Sequence, residues 1–373
     1  RETLERGLGL LDQSIQKLNN SENLPGHVAF KLYDTYGFPV DLTADILRGQ
    51  GRELDFKGFE ESMNLQRENA RQAWSGTGDK EADLTWITIN EREEEVKFLG
   101  YENTHANSKV SSIVINNKEE DEAKAGEEAK VITIESPFYA ESGGQLGDTG
   151  NIEWNNGEAI VLDTMKFGKL IIHSIKVIKG ILKVNDDVSL NIDLERRNSL
   201  KVHHSATHLL HEALRRNLGE HISQKGSLVA PDKLRFDISH NKQISNKDLE
   251  IIEREINNKI RGNYEVSTKI MAIDDAQKMG ALALFGEKYG EKVRVVKMEN
   301  NDKDKYSIEL CGGTHVNRTG DIGLFKILSE SALGSGVRRI EAVAGKAALE
   351  VFQNYTNVIS EISSEMRVSS EKL

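Results

Sequence analysis

Two short patterns in the 373-residue sequence set metal-binding side chains at regular spacing. In the first, HSATH at 204–208, two imidazoles stand four residues apart. On a helix, positions i and i+4 share a face with Cβ atoms ~5–6 Å apart, so His204 and His208 can reach one ion. In the second, CGGTH at 311–315, the Cys311 thiol and the His315 imidazole flank a glycine pair. Gly312 and Gly313 would allow the tight turn that aims both ligands at one point. Three nitrogens and one sulfur make a good Zn²⁺ ligand set, so one zinc ion is the expected cofactor. Each half has an ordinary alternative. His203 and His211 crowd the same segment, and His211 also lies on the face of His204 and His208. A lone cysteine is more often a buried thiol than a ligand. Only the two halves together point to a metal.

These residues must be carried by a long and varied chain. The first ninety or so residues read as helical: Leu4, Leu8, Leu11, Ile15 and Leu18 recur at helical spacing, a second helix starts at Asp41 after Pro39, and a third runs over 56–74. From about residue 110 the period becomes two. Residues 109–115, 130–135, 159–165, 171–177 and 187–194 are β-rich, and in the last of these Val188, Leu190, Ile192 and Leu194 alternate with polar residues. Short strands so closely spaced predict a small barrel or sandwich, with the acidic run 118–128 as a solvated hairpin loop. Beyond residue 196 helices and strands mix. The spacing predicts a helix over 203–217, strands over 233–239, 292–298, 306–310 and 324–329, and a helix capped by Ser245 that carries Leu249, Ile252, Ile256 and Ile260 to Gly262. A last helical segment begins at Gly345.

Bulk properties narrow the function class. A chain this long exceeds what one hydrophobic core ordinarily serves, which predicts two or three domains. No stretch approaches the ~18 apolar residues that span a bilayer, and the acid-bearing N-terminus lacks the apolar core of a signal peptide. It begins without Met and inside a helical pattern, which predicts a piece of a longer chain. The single cysteine rules out an internal disulfide and suits a reducing, cytoplasmic setting. A net charge of −11 argues against a generally sticky nucleic-acid binder, although an acidic average can conceal a local basic patch.

Taken with QKGSLV at 224–229, the two metal motifs resemble the editing domain of alanyl-tRNA synthetases. Threonyl-tRNA synthetases and free-standing editing proteins share those motifs. PFYAESGGQ at 137–145 narrows the match, since it resembles the glycine motif of the alanine-type barrel. KLYDTYGFPVD at 31–41 is similar to the helical tRNA-recognition domain that precedes the editing region, and GVRRIEA at 336–342 resembles the segment that closes it. The free-standing editors would not carry 31–41, which favours a synthetase fragment. The resemblance implies an α+β chain: a partial helical tRNA-recognition domain over 1–95, a β-barrel subdomain over 96–195, a zinc-binding editing core over 196–345 and the start of a linker helix over 346–373.

The implied activity is hydrolysis of the ester joining a wrong amino acid, serine or glycine, to the 3′ end of tRNA(Ala). The class II motifs that bind ATP and activate alanine are missing, so ATP and Mg²⁺ would belong to the parent enzyme alone. The expected partner is mischarged tRNA(Ala), with no role for DNA or a membrane. The resemblance assigns zinc to His204, His208, Cys311 and His315. Four protein ligands form a closed structural site, whereas catalysis usually keeps one position open, so a tRNA-binding module with a purely structural zinc is the alternative. Gln224 matches a position tied to editing and could hydrogen-bond the aminoacyl group, or be a surface or capping amide. Thr207 could face the pocket or cap the helical turn. Gly143 and Gly144 could let backbone approach the substrate, or simply form a tight turn. Asp34 resembles a residue that reads the acceptor stem, with an ordinary helix-surface aspartate as the rival. Arg338 and Arg339 could touch phosphate, or pair with Glu330 and Glu341.

Overall fold

The computed structural model describes residues 11, 14–15, 23–36, 40–49, 52–60, 62–63, 80–282, 291–301, 304–334 and 336–369. The chain divides into two compact units, Arg1–Asp83 and Leu84–Leu373. In the first, helices Gly26–Tyr36 and Val40–Gly49 bury Ala29, Leu32, Ala44 and Leu47 together with Leu11, Leu24, Leu54 and Phe59. Gly26 is demanded by close approach, since a Cβ there would lie 2.0 Å from the Phe59 amide nitrogen. Of the helix expected over the first eighteen residues, Leu11, Ser14 and Ile15 are described as helical, and Leu11 and Ile15 are buried. Most of the helix expected over 56–74 lies outside the described residues, as do Gly37, Phe38 and Pro39.

The second unit begins its strands with a closed barrel. His105–Ile115, Glu128–Thr133, Leu170–Lys179, Gly157–Phe167, Gly150–Trp154 and Asp187–Ile192 pair in that order, all antiparallel, and Asp187–Ile192 returns to His105–Ile115. Closure leaves no long unpaired edge, and alternate side chains such as Val110, Val131, Ile152, Val161, Ile175 and Leu190 fill the interior. Trp86 and Ile89 of the helix Lys80–Arg92 cover the outside of the barrel with Val114, Ile132 and Ile172. Within the acidic run, Lys118–Glu120 and Glu122–Lys124 form short strands.

One expectation fails at the barrel's end. Leu194 does not continue the inward alternation; it is 51% exposed and opens a helix. The strand stops at Ile192, and the Asp193 carboxylate accepts from the Arg196 amide at 3.0 Å. Capping satisfies an amide that the alternation would have left in a strand ladder, so the helix starts at Leu194 rather than His203. It runs 25 residues, Leu194–Leu218, from the barrel into the second core.

There, strands Gln224–Val229, Leu234–Ser239, Val337–Ala344 and Phe325–Gly334 form an antiparallel sheet in that order. The long helix and a second, Asn246–Arg261, bury Leu209, Leu210, Leu214, Ile252, Ile256 and Ile260 with Phe236, Ile238 and Ile340 from the sheet. The Asn246–Arg261 helix follows its sequence signals: Ser245 accepts from the Asp248 amide, and Gly262 caps the end. A three-stranded sheet, Glu265–Ala272, Lys292–Asn301 and Asp304–Leu310, ends at the residue before Cys311. The strands Gly150–Trp154, Gln224–Val229, Glu265–Ala272 and Val337–Ala344 were not expected from periodicity. A final helix, Gly345–Met366, follows the last strand. No helix of the described residues is long and apolar enough to cross a membrane.

Candidate metal centre

His204, His208, Cys311 and His315 converge. All four are buried, and one ligand atom from each lies within 4.8 Å of every other. Cys311 Sγ is 3.3 Å from His204 Nε2 and 3.4 Å from His315 Nε2. A tetrahedral zinc-sized ion, with bonds of ~2.0–2.3 Å, sets sulfur and nitrogen ligands ~3.5 Å apart, so these spacings fit. The rings of His204 and His208 stack with centroids 5.3 Å apart, as i and i+4 on one helix face require.

Each imidazole is held from behind. His204 Nδ1 lies 2.7 Å from Gln145 Oε1, His208 Nδ1 2.8 Å from Glu309 Oε2, and His315 Nδ1 3.2 Å from Ser205 Oγ. With Nδ1 engaged in all three, Nε2 is the nitrogen left for an ion, which is how outer partners orient metal-binding histidines. His208 Nε2 is buried and has no hydrogen-bond partner. An orphaned nitrogen facing a thiol and two further imidazoles is the direct sign that these residues fit a metal ion.

The electrostatics agree. Burial pushes the Cys311 thiol up, but His204, His315 and His208 outweigh it and hold the group well below its ordinary value, as a thiolate. Burial opposes charge on His208, yet Glu309 and Cys311 raise it to about 10. Burial, reinforced by His204, lowers His315 to about 3, so its lone pair is free. Without metal, Glu309 and Cys311 on either side therefore favour the charged form of His208.

The loop that delivers Cys311 and His315 depends on its second glycine for contact space. A Cβ on Gly313 would sit 2.0 Å from His204 Cε1, whereas one on Gly312 would meet nothing within 4 Å. Arg294 holds the loop from outside, its Nη1 donating to the carbonyls of Cys311 and Gly313 at 2.9 Å each.

The other expected residues are not among the four ligand positions. Thr207 donates to the His203 carbonyl at 2.9 Å, and so bonds its own helical turn. Gln224 heads the strand that ends at Val229 and pairs with Ile238; no described contact joins it to the four ligands. Gly143 and Gly144 both have positive φ, within a turn closed by Ser142 and Gln145. They make a tight turn, and Gly144 is also packed so close that a Cβ would lie 2.7 Å from the Ser227 carbonyl oxygen. Arg338 pairs with Glu330; Arg339 pairs with Asp237, at 2.7 and 2.8 Å, rather than with Glu341. Asp34 lies in the helix Gly26–Tyr36, but its side chain is outside the described residues. His211 shares Glu309 with His208, its Nδ1 at 3.3 Å, and its Nε2 is likewise buried without a partner, but it does not belong to the converging set of four ligand atoms.

The chief residue that sequence reasoning passed over is Gln145. Fully buried, it carries one amide oxygen to His204 Nδ1 and to the Thr314 amide at 2.9 Å. It thereby joins the barrel's glycine turn to both halves of the ligand set. Its position at the end of the glycine motif was the available signal. Arg197 and Asp148 were also missed: buried and paired, they tie the long helix to the barrel, with Arg197 donating further to Gly100 and Pro137 carbonyls at 2.7 and 2.8 Å.

Comparison with known proteins follows the same line. Residues 1–196 match the family model for tRNA synthetases class II (A). The chain belongs to that family. Residues 293–341, which include Cys311 and His315, match the threonyl and alanyl tRNA synthetase second additional domain. Among curated relatives, the alanine–tRNA ligase of Parvibaculum lavamentivorans is 50% identical over 378 residues, covering 100% of this chain. That of Granulibacter bethesdensis is 50% identical over 98% of the chain, and that of Rickettsia massiliae 47% identical over 100%. The chain spans 42% of the length of each of these synthetases.

Proposed function

We propose that the unit Leu84–Leu373 removes wrongly attached serine or glycine from tRNA(Ala) by hydrolysing the aminoacyl ester, with zinc as the metal. The observation that carries this reading is the convergence of His204, His208, Cys311 and His315, each imidazole fixed through its outer nitrogen. Such chemistry answers a physical limit. A pocket sized for alanine rejects a substrate differing by one methylene by only ~1–3 kcal/mol, and glycine fits any alanine pocket, so a second, hydrolytic site is required. The relatives are alanine–tRNA ligases, and we infer that the parent protein attaches alanine with ATP and Mg²⁺ outside this chain.

Zinc held by these residues would supply Lewis-acid polarisation and a fixed anchor for the substrate. The chain's own groups keep the ligands ready: Gln145 fixes His204 and the Thr314 amide, Glu309 fixes His208, and the thiolate of Cys311 needs no deprotonation. Gln224 enters the proposal as a residue acting on substrate, and Asp34, Arg338 and Arg339 as contacts to tRNA. The partition at residues 95, 195 and 345 is proposed as the functional division.

Four buried protein ligands also suit a closed, structural ion, and that favours the second reading, a tRNA-binding module without hydrolysis. Deacylation of seryl-, glycyl- and alanyl-tRNA(Ala) separates the two. We expect hydrolysis of the first two, loss in Cys311→Ala, and loss in Gln224→His with zinc content retained. A folded, zinc-loaded protein that leaves seryl-tRNA intact would establish the binding module instead.

A further inference from the structure

Beside the metal loop lies a cleft of about 510 Å³ on the barrel's surface, and Gly312 forms part of its wall. Lys97, Lys166 and Lys169 line it, against one acid, Glu95. Lys97 is shared with Glu135 at 3.7 Å, but among the described residues no ion pair joins Lys166 or Lys169 to a carboxylate. In a chain of net charge −11, three lysines against one glutamate make this wall locally basic. The remaining wall is aromatic. Phe98 packs edge-on against Tyr101 with centroids 4.8 Å apart, and Tyr101 is 43% exposed. Tyr101 is tied to the metal loop, donating to the Gly312 carbonyl at 2.6 Å, while the Arg294 guanidinium covers its ring at 4.1 Å.

Cations along a groove beside an exposed tyrosine and a half-buried phenylalanine are features of the kind that hold single-stranded nucleic acid, phosphates on the lysines and bases against the rings. We propose that this cleft seats the unpaired 3′ end of the tRNA, its phosphates on Lys166 and Lys169 and a terminal base against the Phe98–Tyr101 wall, so that the last ribose passes over Gly312 toward the metal centre. The inference rests on the hydrolase reading for its direction of travel but not for its binding chemistry. Gly312 fits the role: it lines the cleft and a Cβ there would meet nothing within 4 Å, so the backbone offers a strand room that a large side chain would take up.

The test is binding, followed by anisotropy of a labelled acceptor-stem hairpin with a single-stranded 3′ overhang, against the same hairpin cut blunt. Wild type should favour the overhang. Each phosphate contact to a single strand contributes ~0.7 to the salt slope, so Lys166→Ala with Lys169→Ala should flatten the slope by ~1.4 and weaken overhang binding about 25-fold at 0.1 M salt. Gly312→Leu should remove the overhang preference while zinc content and the Co²⁺ absorption spectrum stay unchanged. Equal binding and an equal salt slope in the double-lysine variant would overturn the proposal. So would displacement of the hairpin by millimolar inorganic phosphate at constant ionic strength, which would mark a simple anion site. A protein that binds the overhang here yet hydrolyses no ester sinks the hydrolase reading and leaves the cleft standing. One that hydrolyses seryl-tRNA with KM untouched by the lysine changes does the reverse.

Discussion

Gln145→Ala is the sharpest test of how the centre is built. The change deletes an amide whose oxygen lies 2.7 Å from His204 Nδ1 and 2.9 Å from the Thr314 nitrogen, and whose nitrogen lies 3.0 Å from Thr314 Oγ1. Nothing in the four ligands is altered. Losing one such outer partner typically costs ~10–100-fold in metal affinity, or ~1.4–2.7 kcal/mol. Here one side chain supports a ligand on the helix and the loop bearing two more, so the upper half of that range is expected. The metal-free protein should also lose ~1–3 kcal/mol, because the buried Thr314 amide is left unpaired. Zinc affinity measured by competition with a chromogenic chelator, together with the Co²⁺ spectrum, reads the first effect; urea unfolding in excess chelator reads the second. A folded Gln145→Ala protein whose zinc affinity stays within twofold of wild type would refute the claim that the barrel turn orients the centre.

Further outcomes follow from particular contacts. Gly313→Ala should abolish stoichiometric zinc, because its Cβ falls on the His204 ring, while Gly312→Ala should retain it; equal metal contents would contradict the packing. Zinc must displace the proton from His208, whose folded value of about 10 lies above the ordinary 6.5, so affinity should rise with pH below 10 by ~tenfold per unit from this group. Calorimetry at pH 8 in buffers of different ionisation enthalpy should find about one proton released per ion, and none would exclude a charged His208. Arg197→Met strands the buried Asp148 carboxylate and should cost ~3–5 kcal/mol in urea unfolding; a loss below ~1 kcal/mol would show that the pair does not hold helix to barrel. Gln224→Ala should bind zinc as wild type does, since no described contact joins it to the ligands.

Much of this was open to reading from residue order alone. Helical spacing put His204 and His208 on one face, and the Ser245 to Gly262 helix was legible because its caps are local chemistry. Most barrel strands were legible because β-branched residues alternate within them. The strand Gly150–Trp154 was not, since only Ile152 of its five residues is buried and its partners lie elsewhere in the chain. Leu194 misled because alternation and capping compete, and the cap at Asp193 won. What residue order determined by itself was therefore the ligand types and their local spacing, which depend on neighbours within one turn. Which nitrogen of each histidine faces the ion was settled only by tertiary structure. That choice rests on Gln145, Glu309 and Ser205 reaching the rings from the barrel turn, the strand before Cys311 and the helix itself. A hydrogen bond acts at about 3 Å whatever the separation along the chain, and only folding brings such partners within that reach.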